Sequence, residues 1–155
     1  MPVVSNSSPL IALQAIDRLP LFQHLFESIL IPTSVKQEIR RSISVLPPWI
    51  REQEIKSPLP AIVLRNSLGN GEQEAIALAL EMRTETIVLD DLPARRTAHA
   101  AGLNVIGTIG ILLAAKRRGF IGNVRSELDN LIQASFFISP DLYAEVLAVA
   151  GEATR

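Results

Sequence analysis

TIVLDDLPARRTAHAAGLNVIG, residues 86–107, carries the reading of the whole chain. TIVLD (86–90) is short, apolar and β-branched, as expected of a strand buried on both faces. LPARRTAHAAG (92–102) is a helix stopped by Gly102, and LNVIG (103–107) is a second strand. Strand, helix and strand in so short a run make a parallel crossover unit. At the first turn of that unit stand two adjacent carboxylates, Asp90 and Asp91. Two acids side by side at a buried strand end repel each other and lose solvation, so a compensating group is expected.

The same alternation extends in both directions. PVVS (2–5) is a strand, and Ser7 or Ser8 offers an N-cap before a helical stretch with Pro9 in its first turn. LPLFQHLF (19–26) is a second short helix, SILIP (28–32) a strand, and Thr33 or Ser34 caps a helix over VKQEIRRSI (35–43). The proline-rich stretch 45–63 reads as an irregular or short-helix excursion. LGNGEQEAIALALEMR (68–83) is the clearest helix, filled with Ala, Leu and Glu. Thr108 can cap a helix over IGILLAAKRRG, and two more helices are expected near 122–134 and 140–150, with FFIS (136–139) between them as an edge strand. The expected fold is a three-layer α/β sandwich, a short parallel sheet of four or five strands flanked by helices, forming one domain over 1–155.

Composition narrows the function classes. The chain has 155 residues, 48% of them hydrophobic but only 5% aromatic, so its core must be aliphatic. It has no cysteine, which excludes disulfides, thiol nucleophiles and thiolate metal sites, and suits a reducing cytoplasm. The formal charge of −1 leaves nucleic acid to be met by a local basic patch, for which Arg95 and Arg96 are the nearest candidates to the acidic pair. No apolar run approaches the roughly 18 residues of a membrane span, so no membrane role is expected. No phosphate-binding glycine loop and no nucleophile elbow is present. A receiver-like domain would want its acidic pair after the first strand, where Asn6 stands, and a lysine after a late strand, where VIGT stands.

In a parallel sheet the strand C-termini share one edge, where ligands bind. Asn6 follows the first strand, and Glu38 lies on the helix after the second. Glu72 and Glu74 open the helix that feeds the next strand, and Asp90 and Asp91 end that strand. These residues are far apart in sequence yet can converge on that edge. Carboxylates without histidine or cysteine make a hard-oxygen site, suited to Mg2+ or Mn2+. Such an ion would neutralise the Asp90–Asp91 repulsion. Each residue also has an ordinary explanation: Glu72 and Glu74 complement a helix dipole, Asp91 caps a helix, and Asn6 caps the first one. Trp49 is expected to pack, with base stacking as the alternative if it lies exposed beside the site.

Four of these segments together resemble the PIN domain, an α/β fold of metal-dependent ribonucleases. VVSNSSPLIAL (3–13) is similar to its opening motif, IPTSVKQEI (31–39) to its second, LGNGEQEAIALALE (68–81) to its third, and the run from Ile87 to Ile121 to its fourth strand and tail. The resemblance implies metal ligation and catalysis by Asn6, Glu38, Glu72 or Glu74, and Asp91 in preference to Asp90. Asn6 departs from the family, whose nuclease members usually carry aspartate there. The resemblance further implies a metal-dependent endoribonuclease acting on single-stranded RNA. It could be the toxin of a toxin–antitoxin pair, with an antitoxin protein as partner and a homodimer as its state. The alternative is a degenerate module that binds RNA or protein without cutting.

Overall fold

A computed structural model describes residues 2–153. β1 (Val3–Ser5) leads to α1 (Ser7–Ala15) and α2 (Leu21–Phe26); β2 (Ile29–Ile31) to α3 (Thr33–Ile39); and β3 (Ile50–Glu52) to α4 (Ala61–Leu64) and α5 (Asn70–Glu81). β4 (Thr86–Val88), α6 (Leu92–Ala100), β5 (Asn104–Ile106), α7 (Thr108–Arg117), α8 (Arg125–Gln133) and α9 (Pro140–Val149) complete the chain. All pairings are parallel, and the five strands lie in the order β3-β2-β1-β4-β5.

The central strands are apolar on both faces because both faces are covered. Val3, Ile29, Ile31 and Val88 pack with Leu10 and Leu13 of α1, Phe22 of α2, Ile111 and Leu112 of α7 and Leu128 of α8. Val4, Leu30 and Ile87 point the other way, against Ala75, Ile76 and Leu78 of α5 and Ala94 and Ala98 of α6. Alternate residues of one strand thus feed two cores, which makes the three layers. Full burial of each such Ile or Leu contributes about 1.5–3 kcal/mol.

Two expectations are corrected. The stretch 45–63 contains a strand: β3 pairs with β2 through Ile29–Ile50, Leu30–Arg51 and Ile31–Glu52. Only Ile50 of β3 is buried, so this edge strand has no apolar run to betray it, and an edge tolerates flanking prolines. FFIS is not a strand, because its backbone groups close helices instead. The Phe136 N–H donates to Leu131 O at the end of α8, and the Ser139 hydroxyl accepts from Leu142 N to start α9. The expected hydroxyl caps also fall elsewhere: Asn6, Pro32 and Gly107 occupy the N-cap positions of α1, α3 and α7, none with a side-chain cap bond.

Candidate active site at the sheet switch point

The chain runs from β1 outward to β2 and β3, then returns to place β4 on the other side of β1. Helices leaving β1 and β4 depart toward opposite faces, α1 into one core and α6 into the other. A crevice therefore opens beyond the C-terminal ends of these two strands, the usual place for a ligand in such a sheet. Asn6 directly follows β1 and Asp90 lies just beyond β4 at that edge.

Asn6 is held by its backbone, its N–H donating to Val88 O at 3.0 Å across the β1–β4 pair. Its side chain is 1% exposed, and the amide oxygen Oδ1 has no hydrogen-bond partner. Leaving such an acceptor buried and unsatisfied costs about 1–3 kcal/mol. The oxygen is directed toward α5, where the first turn carries Gly71. A Cβ at residue 71 would lie 3.1 Å from Asn6 Oδ1 and would overlap Glu38 Oε1. Asn6 and Glu38 thus come together over a helix that only glycine lets approach so closely. Glycine in a helix costs about 0.5–1 kcal/mol relative to alanine, so its place here marks a close approach.

Glu38, in the last turn of α3, is exposed as a residue, but its carboxyl end lies in this crowded corner. Partial burial raises its pKa above the ordinary carboxylate value, and the negative charges of Glu72 and Glu74 raise it further, against a lowering hydrogen bond from Ser7. Like charges gathered without a cation have this effect.

Glu72 lies in the first turn of α5, its Oε2 only 2.7 Å from where a Cβ on Gly69 would stand. With Asp90 and Asp91 it lines a cleft of about 500 Å³. Glu74 is turned toward α3, accepting a long 3.4 Å hydrogen bond from Ser34 N. The adjacent acids that follow β4, Asp90 and Asp91, are held differently. Asp90 accepts from Thr108 N at 2.8 Å with Oδ1 and from the Thr108 hydroxyl at 2.6 Å with Oδ2, so it anchors the start of α7. Asp91 is exposed and caps α6, its Oδ2 accepting from Ala94 N at 3.0 Å. The repulsion expected between them is thus partly offset by helix N-termini.

Arg95 reaches back beneath Asp90. Its Nη1 donates to Leu89 O at 2.9 Å, and a Cβ on Gly107 would lie 2.6 Å from that nitrogen and 2.9 Å from Asp90 Oδ1. Arg96 is exposed and borders a separate depression beside Asn66 and Pro93. Trp49 packs against the core near β3. Among the described residues, no three acidic or histidine side chains close into a metal cage.

The profile of the PIN domain matches residues 2–152. The chain belongs to the PIN-domain family. Its parallel α/β sandwich is therefore a nuclease-type fold. No curated protein matches the chain. No helix of this PIN domain, among its described residues, is long and apolar enough to cross a membrane.

Sequence reasoning named the acids of the crevice but not what shapes it. Gly71 and Gly107, where Cβ atoms would collide with Glu38, Arg95 and Asp90, were legible only as a helix-opening glycine and the end of a strand. Phe136 and Phe137, which form a wall of the acidic cleft, were hidden by the strand expected there.

Proposed function

We propose that this PIN domain is a metal-dependent endoribonuclease that cleaves single-stranded RNA and acts in the cytoplasm as the toxin of a toxin–antitoxin pair. One observation carries the reading: a buried amide oxygen without a partner, Asn6 Oδ1, meets the carboxyl of Glu38 at the switch point of a PIN sheet. The residues fit a hard divalent ion. All their donors are oxygens, the Glu38 carboxyl is crowded by the charges of Glu72 and Glu74, and Asn6 Oδ1 lacks any partner at all. Asn6 together with one or two of Glu38, Glu72 and Asp91 would hold the metal, with Glu74 and Asp90 behind them. Mg2+ is commonly bound by one or two carboxylates together with water and substrate phosphate, so a cage of three acids is not required. When bound, Mg2+ or Mn2+ lowers the pKa of water and offsets charge on the phosphate and leaving oxygen.

The chain's own groups supply placement. Asp91 and Glu72 face the cleft in which the scissile phosphate is held. Asp90 fixes the end of β4 against α7 through Thr108, and Arg95 braces the same turn through Leu89 O. Exposed Arg96, with Arg95, provides the local positive charge that a chain of net charge −1 needs beside RNA. The exposed apolar residues Leu142 and Val149 of α9 support pairing with a second copy, and a single-chain mass in light scattering at tens of micromolar would refute it.

Asp91→Asn is expected to abolish Mn2+-dependent cleavage of single-stranded RNA while the melting curve stays cooperative. Cleavage that persists in both Asp91→Asn and Glu38→Gln, or in excess chelator, would overturn the metal mechanism. A second reading, a module that binds RNA or protein without cutting, is favoured by the neutral amide at position 6. It predicts that Asn6→Asp both tightens Mn2+ binding and creates cleavage absent from the natural chain.

A further inference from the structure

The acidic cleft has two unlike walls. Glu72, Asp90 and Asp91 form one, and Ile11, Phe136 and Phe137 contribute to the other. Phe137 is 86% exposed, the most exposed of the large hydrophobic side chains among the described residues. It also borders a second groove of about 650 Å³, lined in part by Asp90 and Arg95, so both grooves share the ring. A phenyl ring held in water forgoes burial that would stabilise the fold, and such surface is characteristic of binding sites.

The segment that displays the ring is anchored on both sides. Ser135 adopts φ 73°, its N–H donating to Ile132 O and that of Phe136 to Leu131 O, so the chain turns sharply out of α8. On the far side Ile138 is buried at 8% exposure, and the Ser139 hydroxyl accepts from Leu142 N at 3.1 Å. Phe137 is the residue left outside between these two anchors. A backbone fixed in advance loses little entropy when a ligand arrives.

We infer that Phe137 is a base-stacking platform: the nucleobase flanking the phosphate held at the acidic wall lies against its ring. The proposal rests on the ribonuclease reading of that wall. Single-stranded nucleic acid is bound by pairing a phosphate site with an aromatic face, and every base has a π-face. A cleft with carboxylates for a metal-held phosphate on one side and an exposed phenyl on the other offers both parts within one cavity. Readout by stacking is indifferent to sequence, so the subsite selects unpaired over duplex RNA.

The test compares wild type, Phe137→Ala and Phe137→Trp for affinity toward a fluorescently labelled single-stranded RNA, each with Ca2+ in place of Mn2+ so that the phosphate is held but not cut. Mn2+ affinity is measured separately in the same chains. Phe137→Ala is expected to weaken RNA binding on the order of 5- to 100-fold, with Mn2+ affinity unchanged. Phe137→Trp is expected to restore binding, and its added indole fluorescence is quenched as RNA is titrated in. Equal RNA affinity in Phe137→Ala and its parent, or an unquenched indole at saturation, would overturn the proposal. So would a loss confined to self-association in light scattering, which would assign the ring to a second copy. If the natural chain binds neither Mn2+ nor RNA, the ribonuclease reading itself fails, a result distinct from any of these.

Discussion

At the scale of single residues, the site is a concentration of oxygen atoms that the fold holds at a cost. Glu38 shows the direction of that cost. Its folded pKa lies above the ordinary 4.5, raised first by burial and then by Glu72. An acid with a raised pKa binds its proton more tightly in the folded chain, so its contribution to stability falls as pH rises through that window. Above that window Glu38 therefore destabilises the metal-free protein. Glu38→Gln is expected to raise the melting temperature of metal-free protein at pH 7, and by less at pH 4, where the natural side chain is increasingly protonated. A lower melting temperature for the variant at pH 7 would contradict this account of the corner. The candidate residues could be named from the sequence because Asn6, Asp90 and Asp91 follow strands, Glu72 opens α5 and Glu38 lies on the helix after β2. Their pairing was not: the meeting of Asn6 with Glu38 depends on the missing Cβ of Gly71, a contact that no spacing in the sequence encodes.

At the scale of elements, the helices and central strands were legible because each carries its own period and its own apolar faces. β3 escaped notice because it is half-exposed and bounded by prolines. The segment 136–139 was misread because two phenylalanines and an isoleucine suggest a strand whatever their backbone is bonded to. The late helices are tied down by a contact no local pattern announces. The Glu152 carboxylate accepts from Lys116 Nζ at 2.7 Å and from the N–H groups of Val124 at 2.7 Å and Arg125 at 3.0 Å, which joins the end of α9 to α7 and α8. Burial alone would push this carboxyl up, but Lys116 and the two backbone donors more than offset it and hold its pKa at about 2. A depressed acid stabilises the fold above its unfolded value of 4.5 and loses that contribution as pH falls toward about 2. Wild type should therefore lose stability between these values more steeply than Glu152→Gln, a difference that chemical denaturation at pH 7, 4 and 3 would measure. Parallel curves would show that Glu152 does not link the late helices in solution.

At the scale of the whole molecule, strand order does the assembling. Had β4 joined the outer side of β3, Asn6 and Asp90 would stand at different places along the sheet edge. Because it returns to β1, residues 84 positions apart in sequence border one crevice, with Glu38, Glu72 and Asp91 grouped around it. The central claim is that this oxygen cluster binds a divalent ion, and calorimetric titration of Mn2+ into wild type and Glu38→Gln tests it most directly. Saturable binding by wild type that Glu38→Gln loses or weakens at least tenfold is the expected result. No saturable heat from wild type, or equal affinity in the two chains, would contradict it.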